Sequence, residues 1–473
     1  MTQAPAPLWT AEEVARATAG STSKHFAATG VAIDSRTLAA GELFIAIRGP
    51  RVDGHDFVRQ ALERGAAAAV VSRVPEGCAA APLVLVADTQ AALEALGAAA
   101  RARTAAKIAA ITGSVGKTGT KEALRLALEP QGKVAASQGS LNNLWGVPLS
   151  LARMPRDAAY GVFELGMNHP GELAPLSRLV APHLAVVTTV EAVHMEFFDK
   201  VADIAEAKAE IFIGMRGGTA VLNRDNAFFQ LLSDRARAAG LERIIGFGAH
   251  PEAEVRLVSL KPMPAGSDVT ARIGAGQISY RIGVSGRHWA LNSLAVLGAV
   301  MALGADVERA ALTFAALAAP KGRGQRHLIR SRGGSFELID DSYNASPASM
   351  RAAFEVLAAA APGKGGRRIA VLGDMLELGP AGRELHTSLA AHIAAHRIDL
   401  VFTAGPLMAA LDRALPPAVR GGHAESSEAL AKVIVAAVRP GDVIAVKGSL
   451  GSRMGKVVDA LLALDELPSA VNG

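Results

Sequence analysis

The string Ala109-Ala-Ile-Thr-Gly-Ser-Val-Gly-Lys-Thr118 constrains this chain more than any other. The apolar run Ile108–Thr112 leads straight into a turn holding two glycines, and Lys121–Leu128 leaves it with helical spacing. Strand, glycine turn and helix in that order belong to a parallel α/β sheet, since the helix packs back on the strand that feeds it. Gly113 and Gly116 let backbone N–H groups turn toward an anion, and the helix start near Lys117 adds unpaired donors and its dipole. Lys117 would reach the β and γ phosphates and the Thr118 hydroxyl would ligate Mg²⁺, with Ser114, Val115 and Gly119 completing the nucleotide cradle. The usual P-loop, GxxxxGK[ST], needs glycine where Ile111 stands, so the loop here is the shorter GxxGKT. A plain turn is the competing reading; the flanking strand and helix favour nucleotide. The strings Ser114-x-x-Lys117 and Lys117-Thr-Gly119 share one lysine, which excludes an acyl-serine enzyme, where the two elements face a pocket from separate segments.

With 473 residues the chain outgrows a single core, and three segments separate on pattern. Residues 1–103 mix short strands (Glu42–Ile47, Leu83–Ala87) with helices such as Val58–Arg64. Residues 104–318 alternate apolar runs (Tyr160–Leu165, Leu184–Val190, Thr219–Asn223) with helical patterns (Ala202–Met215), as βαβ units do. Within them Ala249–Ser285 reads as an antiparallel insert. After the linker string APKGRGQ, Ala319–Gln325, residues 319–473 carry the runs Arg368–Leu372, Asp399–Thr403 and Asp442–Val446 between amphipathic stretches. They predict a second, doubly wound α/β domain. Lys and Arg number 49 against 44 acids, a net +5 that suits an anionic ligand, while 4% aromatics are too few for stacking on nucleic acid bases. The lone Cys78 allows no internal disulfide and fits a reducing compartment. The N-terminal MTQAPAPLWTAEEV lacks the pattern of a signal peptide, and the longest apolar stretch, Leu294–Leu303, is well short of the ~20 residues of a membrane span. A cytosolic protein without stable membrane insertion is expected.

Phosphoryl transfer needs groups that hold Mg²⁺, expected at the ends of strands that follow the phosphate loop. Glu164 ends the run Tyr160–Leu165, where a buried carboxylate is costly unless it binds something. His194 follows Leu184–Val190. Each alone reads as a structural hydrogen-bonding group; beside the loop, the metal reading is preferred. Lys208 lies on a predicted helix with no acid at i±4, and the plain reading is a surface lysine. His392 and His396 form H-x-x-x-H without the glutamate of a zinc protease, and read as exposed helix residues. Lys321–Arg332 carries Lys321, Arg323, Arg326, Arg330 and Arg332 with no acid, either a solvated linker or a hinge whose cations clamp phosphates on closure. Asp340 and Asp341 read equally as functional acids or as caps for a helix at Ser346–Phe354.

With these residues in hand, the chain resembles the Mur ligases of peptidoglycan synthesis over essentially its full length. The resemblance rests on TGSVGKTGTK, GSLNNLWGVPLSL (139–151), FELGMNHPGE (163–172), AEAKAEIF (205–212), GRHWALNSLAV (286–296), IDDSYNASPASM (339–350), LGDMLELG (372–379) and VKGSLGSRMG (446–455). The short phosphate loop is similar to that family's own variant. The resemblance implies an N-terminal domain holding a uridine nucleotide, a central ATPase and a Rossmann-like C-terminal domain that closes over the site. It implies an ATP-driven amide ligase, active as a monomer, that adds D-alanyl-D-alanine to UDP-N-acetylmuramoyl-tripeptide. Lys117 and Thr118 would serve ATP and Mg²⁺; Glu164, His194 and Lys208, the last if carbamylated, would hold the metal. Asn292 matches an adenine-side asparagine, although Trp289 stands where the family often has asparagine. Arg326 and Asp341 match residues that bring the third domain to the nucleotide. Ser35, Arg36, Asp53 and His55 match strings that handle the UDP-sugar, and Asn142 and Asn143 the same substrate. Tyr343 and Asn344 fall in the matching DDSYNASP string, and Lys447, Ser449 and Arg453 would face the dipeptide. The rivals are a related ligase adding a single amino acid, a folylpolyglutamate synthase, and a P-loop ATPase switch that forms no covalent product.

Overall fold

Apolar runs bounded by glycine become the strands of three large sheets, beside a two-stranded pair of Trp9–Thr10 with Ala27–Ala28, in the computed structural model, which describes residues 7–263, 266–331 and 333–465. Arg332 and the first six residues, both part of the sequence reading, lie outside the described residues. The first sheet orders its strands Ser21–Thr22, Leu83–Leu85, Ala68–Val71, Glu42–Ile45 and Gly30–Ala32. Its inner face, with Leu43, Ile45 and Val70, packs on Leu93 and Leu96 of the helix Thr89–Ala102. Trp9 ties this unit to the next by donating its indole N–H to the Ala152 carbonyl at 2.8 Å.

The strand Lys107–Thr112 is the third from one edge of a nine-stranded sheet, parallel to Leu184–Val187 on one side and Tyr160–Glu164 on the other. Its side chains alternate between two cores, as period-two geometry requires. Ala109 and Ile111 face the helices Lys117–Leu128 and Arg287–Ala302, while Ile108 and Ala110 face Leu173–Val180 and Val201–Ala209. The antiparallel stretch is present as Val255–Met263, Gly266–Ile273 and Gly276–Ile282, but it is no separate insert. Val255–Met263 also pairs in parallel with Arg243–Gly248, so the three strands extend the same sheet to its edge. Two elements are shorter than the sequence suggested. The strand at Leu184 ends at Val187; Thr188 N still bonds the Thr112 carbonyl, and its hydroxyl reaches the Val115 carbonyl of the phosphate loop. The helix Val201–Ala209 tightens into a 3₁₀ turn over Glu210–Phe212, where Glu210 takes up the backbone donors of Gly171, Leu173 and Ala174.

The third sheet runs Gln325–Ser331, Gly334–Asp341, Val443–Lys447, Arg368–Gly373, Leu400–Ala404 and Arg420–Ala424, parallel except for its first strand. The chain's last strand is thus inserted between two earlier ones, and Lys447 comes to lie level with Asp341 and Leu372 at the carboxyl ends. His392 and His396 are half-buried rather than exposed. His396 packs on Phe354 and bonds the His392 carbonyl at the helix end, a structural role. Among the described residues no helix is long and apolar enough to cross a membrane.

Candidate active site

The phosphate loop is held open by its neighbours. Gly113 has φ +148°, and an added Cβ would overlap Thr188 Oγ1, so only glycine fits. Ser114 donates its N–H to the Thr189 carbonyl, while its hydroxyl accepts from Glu191 N at 2.9 Å and donates to Glu191 O at 3.1 Å. The loop is therefore stitched to the segment that carries His194. Lys117 folds its Nζ back onto the Gly113 carbonyl at 2.7 Å. Burial lowers its pKa, Glu164 pulls it up, and Arg323 pushes it down again, which puts one acid and one further cation in its field. Behind the loop, fully buried Lys121 donates to the carbonyls of Ser137 and Gly139 and pairs with Glu122 at 2.7 Å. That brace escapes sequence reasoning because a lysine's charge suggests solvent, although Lys121 shares its helix face with Leu124 and Leu128.

Glu164 is 1% exposed. Asn142 donates to its Oε1 at 2.8 Å, but Oε2 has no partner, nor does the buried Thr118 hydroxyl. Unpartnered buried carboxylate and hydroxyl oxygens suit a hard, oxygen-seeking cation. Among the described residues no three of His, Cys, Asp and Glu gather at metal-binding distance, so phosphate oxygens and water would have to fill a Mg²⁺ shell, as that ion prefers. His194 bonds through Nδ1 to Glu377 of the C-terminal domain at 2.5 Å. Burial depresses its pKa, Glu377 opposes this, and the charges of Lys117 and Lys208 add to the depression, so these side chains share one electrostatic neighbourhood. Lys208 is 2% exposed and not a surface residue. Glu206 pairs with Arg235 and Glu210 with backbone donors, which leaves Lys208 without an acid among the described residues. Burial, then the charge of Lys117, pulls its pKa well below the ordinary lysine value.

A cleft of about 960 Å³ brings most of the predicted residues together. Loop residues Ser114–Gly119, Asn142, Glu164, His194 and Asn292 line one wall. Arg326, Asp341, Tyr343, Asn344 and Lys447 line the other. Asn292 sits against the loop, its amide 3.0 Å from where a Cβ on Gly116 would be. Arg326 pairs with Glu337 at 2.9 Å. Buried Lys447 donates to Asp341 at 2.7 Å and to the Asn344 carbonyl at 2.9 Å. The capping reading of the two acids fails: Ser346 caps the helix Pro347–Ala359, and Asp340 instead accepts from Gly322 N and Ser342. Arg323 stacks on the Tyr343 ring, 4.3 Å from its centroid, and Tyr343 Oη meets Ser140 Oγ at 2.6 Å across the two domains. His288, Trp289 and Arg323 also line the cleft, and burial followed by the charge of Lys447 lowers His288 to about 4.

Several predicted residues lie elsewhere. Asn143 accepts from Trp145 N and Gly146 N at the start of the helix Gly146–Ala152. Ser449 receives Leu376 N, and exposed Arg453 lies 3.5 Å from Glu428, so neither lines the cleft. In the first domain Ser35 bonds Gln60, Arg36 forks onto Asp34, and Asp53 bonds His55, whose other ring nitrogen accepts from Ser72 N. Another cavity, of about 1240 Å³, between the helices Thr89–Ala102 and Leu173–Val180, shares no residue with the cleft and holds no phosphate loop.

A phosphate loop on one largely parallel sheet, facing the carboxyl edge of a second doubly wound sheet, defines the class of two-domain α/β proteins with a nucleotide-phosphate cleft between the domains. The relatives give this class its family. Residues 27–104 match the Mur ligase family catalytic domain, residues 111–300 the Mur ligase middle domain, and residues 322–450 the Mur ligase glutamate ligase domain. The chain belongs to the Mur ligase family. It is 33% identical to the UDP-N-acetylmuramoyl-tripeptide--D-alanyl-D-alanine ligase of Rickettsia prowazekii, across 96% of this chain and 99% of that one. To the Escherichia coli ligase of the same name it is 34% identical, across 91% and 93% of the two chains. Its fold is similar to a crystal structure of MurF from Acinetobacter baumannii, with a TM-score of 0.83 and 28% identity over 96% of this chain and 99% of that one. The MurF ligase of Thermotoga maritima in complex with ADP superposes with a TM-score of 0.76 at 26% identity, covering 92% and 98%.

Proposed function

We propose that this chain joins D-alanyl-D-alanine to UDP-N-acetylmuramoyl-tripeptide and converts ATP to ADP and phosphate. The observation that carries the reading is the shared cleft, in which the phosphate loop faces Arg326, Asp341 and Lys447 of the other domain. Full-length similarity to ligases named for this reaction supports the choice of substrates.

A carboxylate is a poor acyl donor, so the reaction proceeds through an acyl phosphate. An oxygen of the tripeptide's terminal carboxylate bonds to the γ phosphorus as the bond to the bridging oxygen breaks, and ADP leaves. The dipeptide's amine nitrogen then attacks the acyl carbon, a tetrahedral intermediate forms, and phosphate departs as the nitrogen loses a proton. Lys117 leaves the Gly113 carbonyl for the β and γ phosphates, and Arg323 and Arg326 neutralise charge gathering on the transferring group. Thr118, Glu164 and His194 would hold Mg²⁺, with Lys208 a further ligand if carbamylated, and the ion would supply charge neutralisation at the phosphates. The neutral amine favoured by the Lys208 site is the form that adds CO₂. Asn292 serves the adenine side of the nucleotide. Asn142 positions the Glu164 carboxylate, and Lys447, held by Asp341 and the Asn344 carbonyl, faces the dipeptide beside Tyr343. Ser35, Arg36, Asp53 and His55 shape the region of the first domain that receives the UDP-sugar, while Asn143, Ser449 and Arg453 act from outside the cleft. Closure of the C-terminal domain excludes water from the acyl phosphate. The enzyme works as a monomer in the cytoplasm, where ATP is supplied.

The test is mass spectrometry of the purified chain with the tripeptide precursor, D-alanyl-D-alanine and MgATP. The expected product is UDP-N-acetylmuramoyl-pentapeptide, with ADP release stimulated by the dipeptide and not by single amino acids. ATP turnover without covalent product would overturn the reading.

A further inference from the structure

Two left-handed residues meet where the central and C-terminal domains touch. His194 has φ +55° and Glu377 has φ +62°, a region that bulky L residues enter at a cost of about 1 kcal/mol or more each. Strain of this kind persists only where the surroundings enforce it. Both loops are enforced. Glu377 lies on Asp374–Gly379, where buried Asp374 accepts from Met408 N, its carbonyl takes Ser449 N, and Leu376 N donates to Ser449 Oγ. Met375 and Leu378 on either side are buried in the C-terminal core. On the central domain, Glu191 is bound twice to Ser114 of the phosphate loop, Phe197 N bonds the His194 carbonyl, and Val190 and Phe198 are buried. Each strained side chain therefore stands on a fixed base, and the bases meet: the Glu377 carbonyl accepts from Glu196 N at 3.2 Å as the Glu377 carboxylate takes His194 Nδ1 at 2.5 Å.

We propose that Glu377 is the positioning residue that sets His194 for cation binding, so that docking of the C-terminal domain completes the central domain's metal site. A carboxylate only accepts, so the proton sits on Nδ1 and the Nε2 lone pair is left free. The bond also fixes the ring plane, as the outer partners of metal-binding histidines do. The path is continuous, from the C-terminal core through Glu377, His194 and Glu191 to Ser114 in the phosphate loop. Cation affinity and domain docking are then two readings of one equilibrium, and each must strengthen the other. The inference rests on the reading of His194 as a Mg²⁺ ligand.

The test uses the full-length chain with ADP and Mn²⁺ as a paramagnetic probe, with free Mn²⁺ read by electron paramagnetic resonance. Glu377→Ala is expected to weaken Mn²⁺ binding by about 10- to 100-fold. Glu377→Gln keeps an acceptor for Nδ1–H and should stay within about threefold of wild type. The Mg²⁺ concentration for half-maximal ligation should move in parallel, while the melting temperatures of the two variants match. His194→Ala separates the premises. If it leaves Mn²⁺ binding intact, His194 is no ligand and the underlying assignment fails. If it abolishes binding while Glu377→Ala does not, the assignment stands and the positioning role is overturned. Equal losses in Glu377→Ala and Glu377→Gln would also overturn it, since an acceptor for Nδ1–H would then not be what sets His194.

Discussion

Each critical side chain in the cleft is defined by what it lacks. Among the described residues Lys117 has no acid in direct contact, and it bonds a carbonyl of its own loop, a partner it can exchange for phosphate. Lys117→Ala should lower the ligation kcat by about 10²- to 10³-fold, the range for one charge-stabilising donor, while the melting temperature stays near wild type. Steady-state kinetics beside a thermal scan decides it; an unchanged kcat would remove Lys117 from the chemistry. Gly113 lacks a side chain for a steric reason, since Thr188 Oγ1 occupies the space. Gly113→Ala should destabilise the fold by about 2–4 kcal/mol and abolish nucleotide binding, checked by urea unfolding and by titration with MgADP. Pairing it with Thr188→Ser, which keeps the offending oxygen, should restore little, whereas Thr188→Ala should restore part of the stability.

Strands and helices follow from local pattern where their partners are close in sequence. The run Ile108–Thr112 and the helix from Lys117 are adjacent, and the glycines between them announce the turn, so the phosphate loop was readable before any fold. Thr219–Asn223 forms with the expected ends, since Gly217 and Gly218 begin it and Asn223 turns its amide to the Thr188 carbonyl. Other features depend on contacts without period. The edge strands Val255–Ile282 look self-contained in sequence, because their attachment to Arg243–Gly248 is two parallel pairs at one end. Lys121 shares the helix face of Leu124 and Leu128, yet its charge is met by carbonyls of a loop 16 to 18 residues ahead, which no local pattern announces. Glu377 lies 183 residues from His194, beyond the reach of any motif. The turn Gly54–Phe57 yields a pH prediction of its own. Burial raises the Asp53 carboxyl, but the His55 N–H, the His55 ring and Arg73 outweigh it and hold Asp53 at about 2, below the model-compound value of 3.8. A depressed acid stabilises the fold above its unfolded pKa, and that stability fades as pH falls through the folded value. Wild type should therefore exceed Asp53→Asn by about 1–2 kcal/mol at neutral pH, and the gap should close between about pH 4 and pH 2. Urea unfolding of both proteins across that range measures it; a constant gap would place the effect in shape rather than charge.

On the proposed reading the third sheet is carried over the second during the reaction, and Gly322 is the candidate pivot in the chain between them. Gly322 has φ +71°, donates its N–H to Asp340 Oδ2 at 3.2 Å, and takes Tyr343 N on its carbonyl at 3.0 Å. The pivot is thus fastened to the very segment that holds Asp341 and Tyr343. A Cβ on Gly322 would lie 2.9 Å from Tyr343 Cβ and 3.2 Å from its nitrogen, whereas one on Gly324, at φ +93°, meets nothing within 4 Å. Both alanine variants carry backbone strain of about 1–3 kcal/mol, but only Gly322→Ala also pushes Tyr343 off the Ser140 contact that spans the domains. Gly322→Ala is therefore expected to lower the ligation kcat at least about tenfold and to shift the scattering radius with bound nucleotide toward a more open form, with Gly324→Ala losing less in both. If the two variants behave alike, strain alone governs closure and Tyr343 is a bystander. If Gly322→Ala slows ligation with no change in radius, the pivot acts on the alignment of Asp341 and Lys447 within an already closed cleft, and the domain swing is not the step it controls.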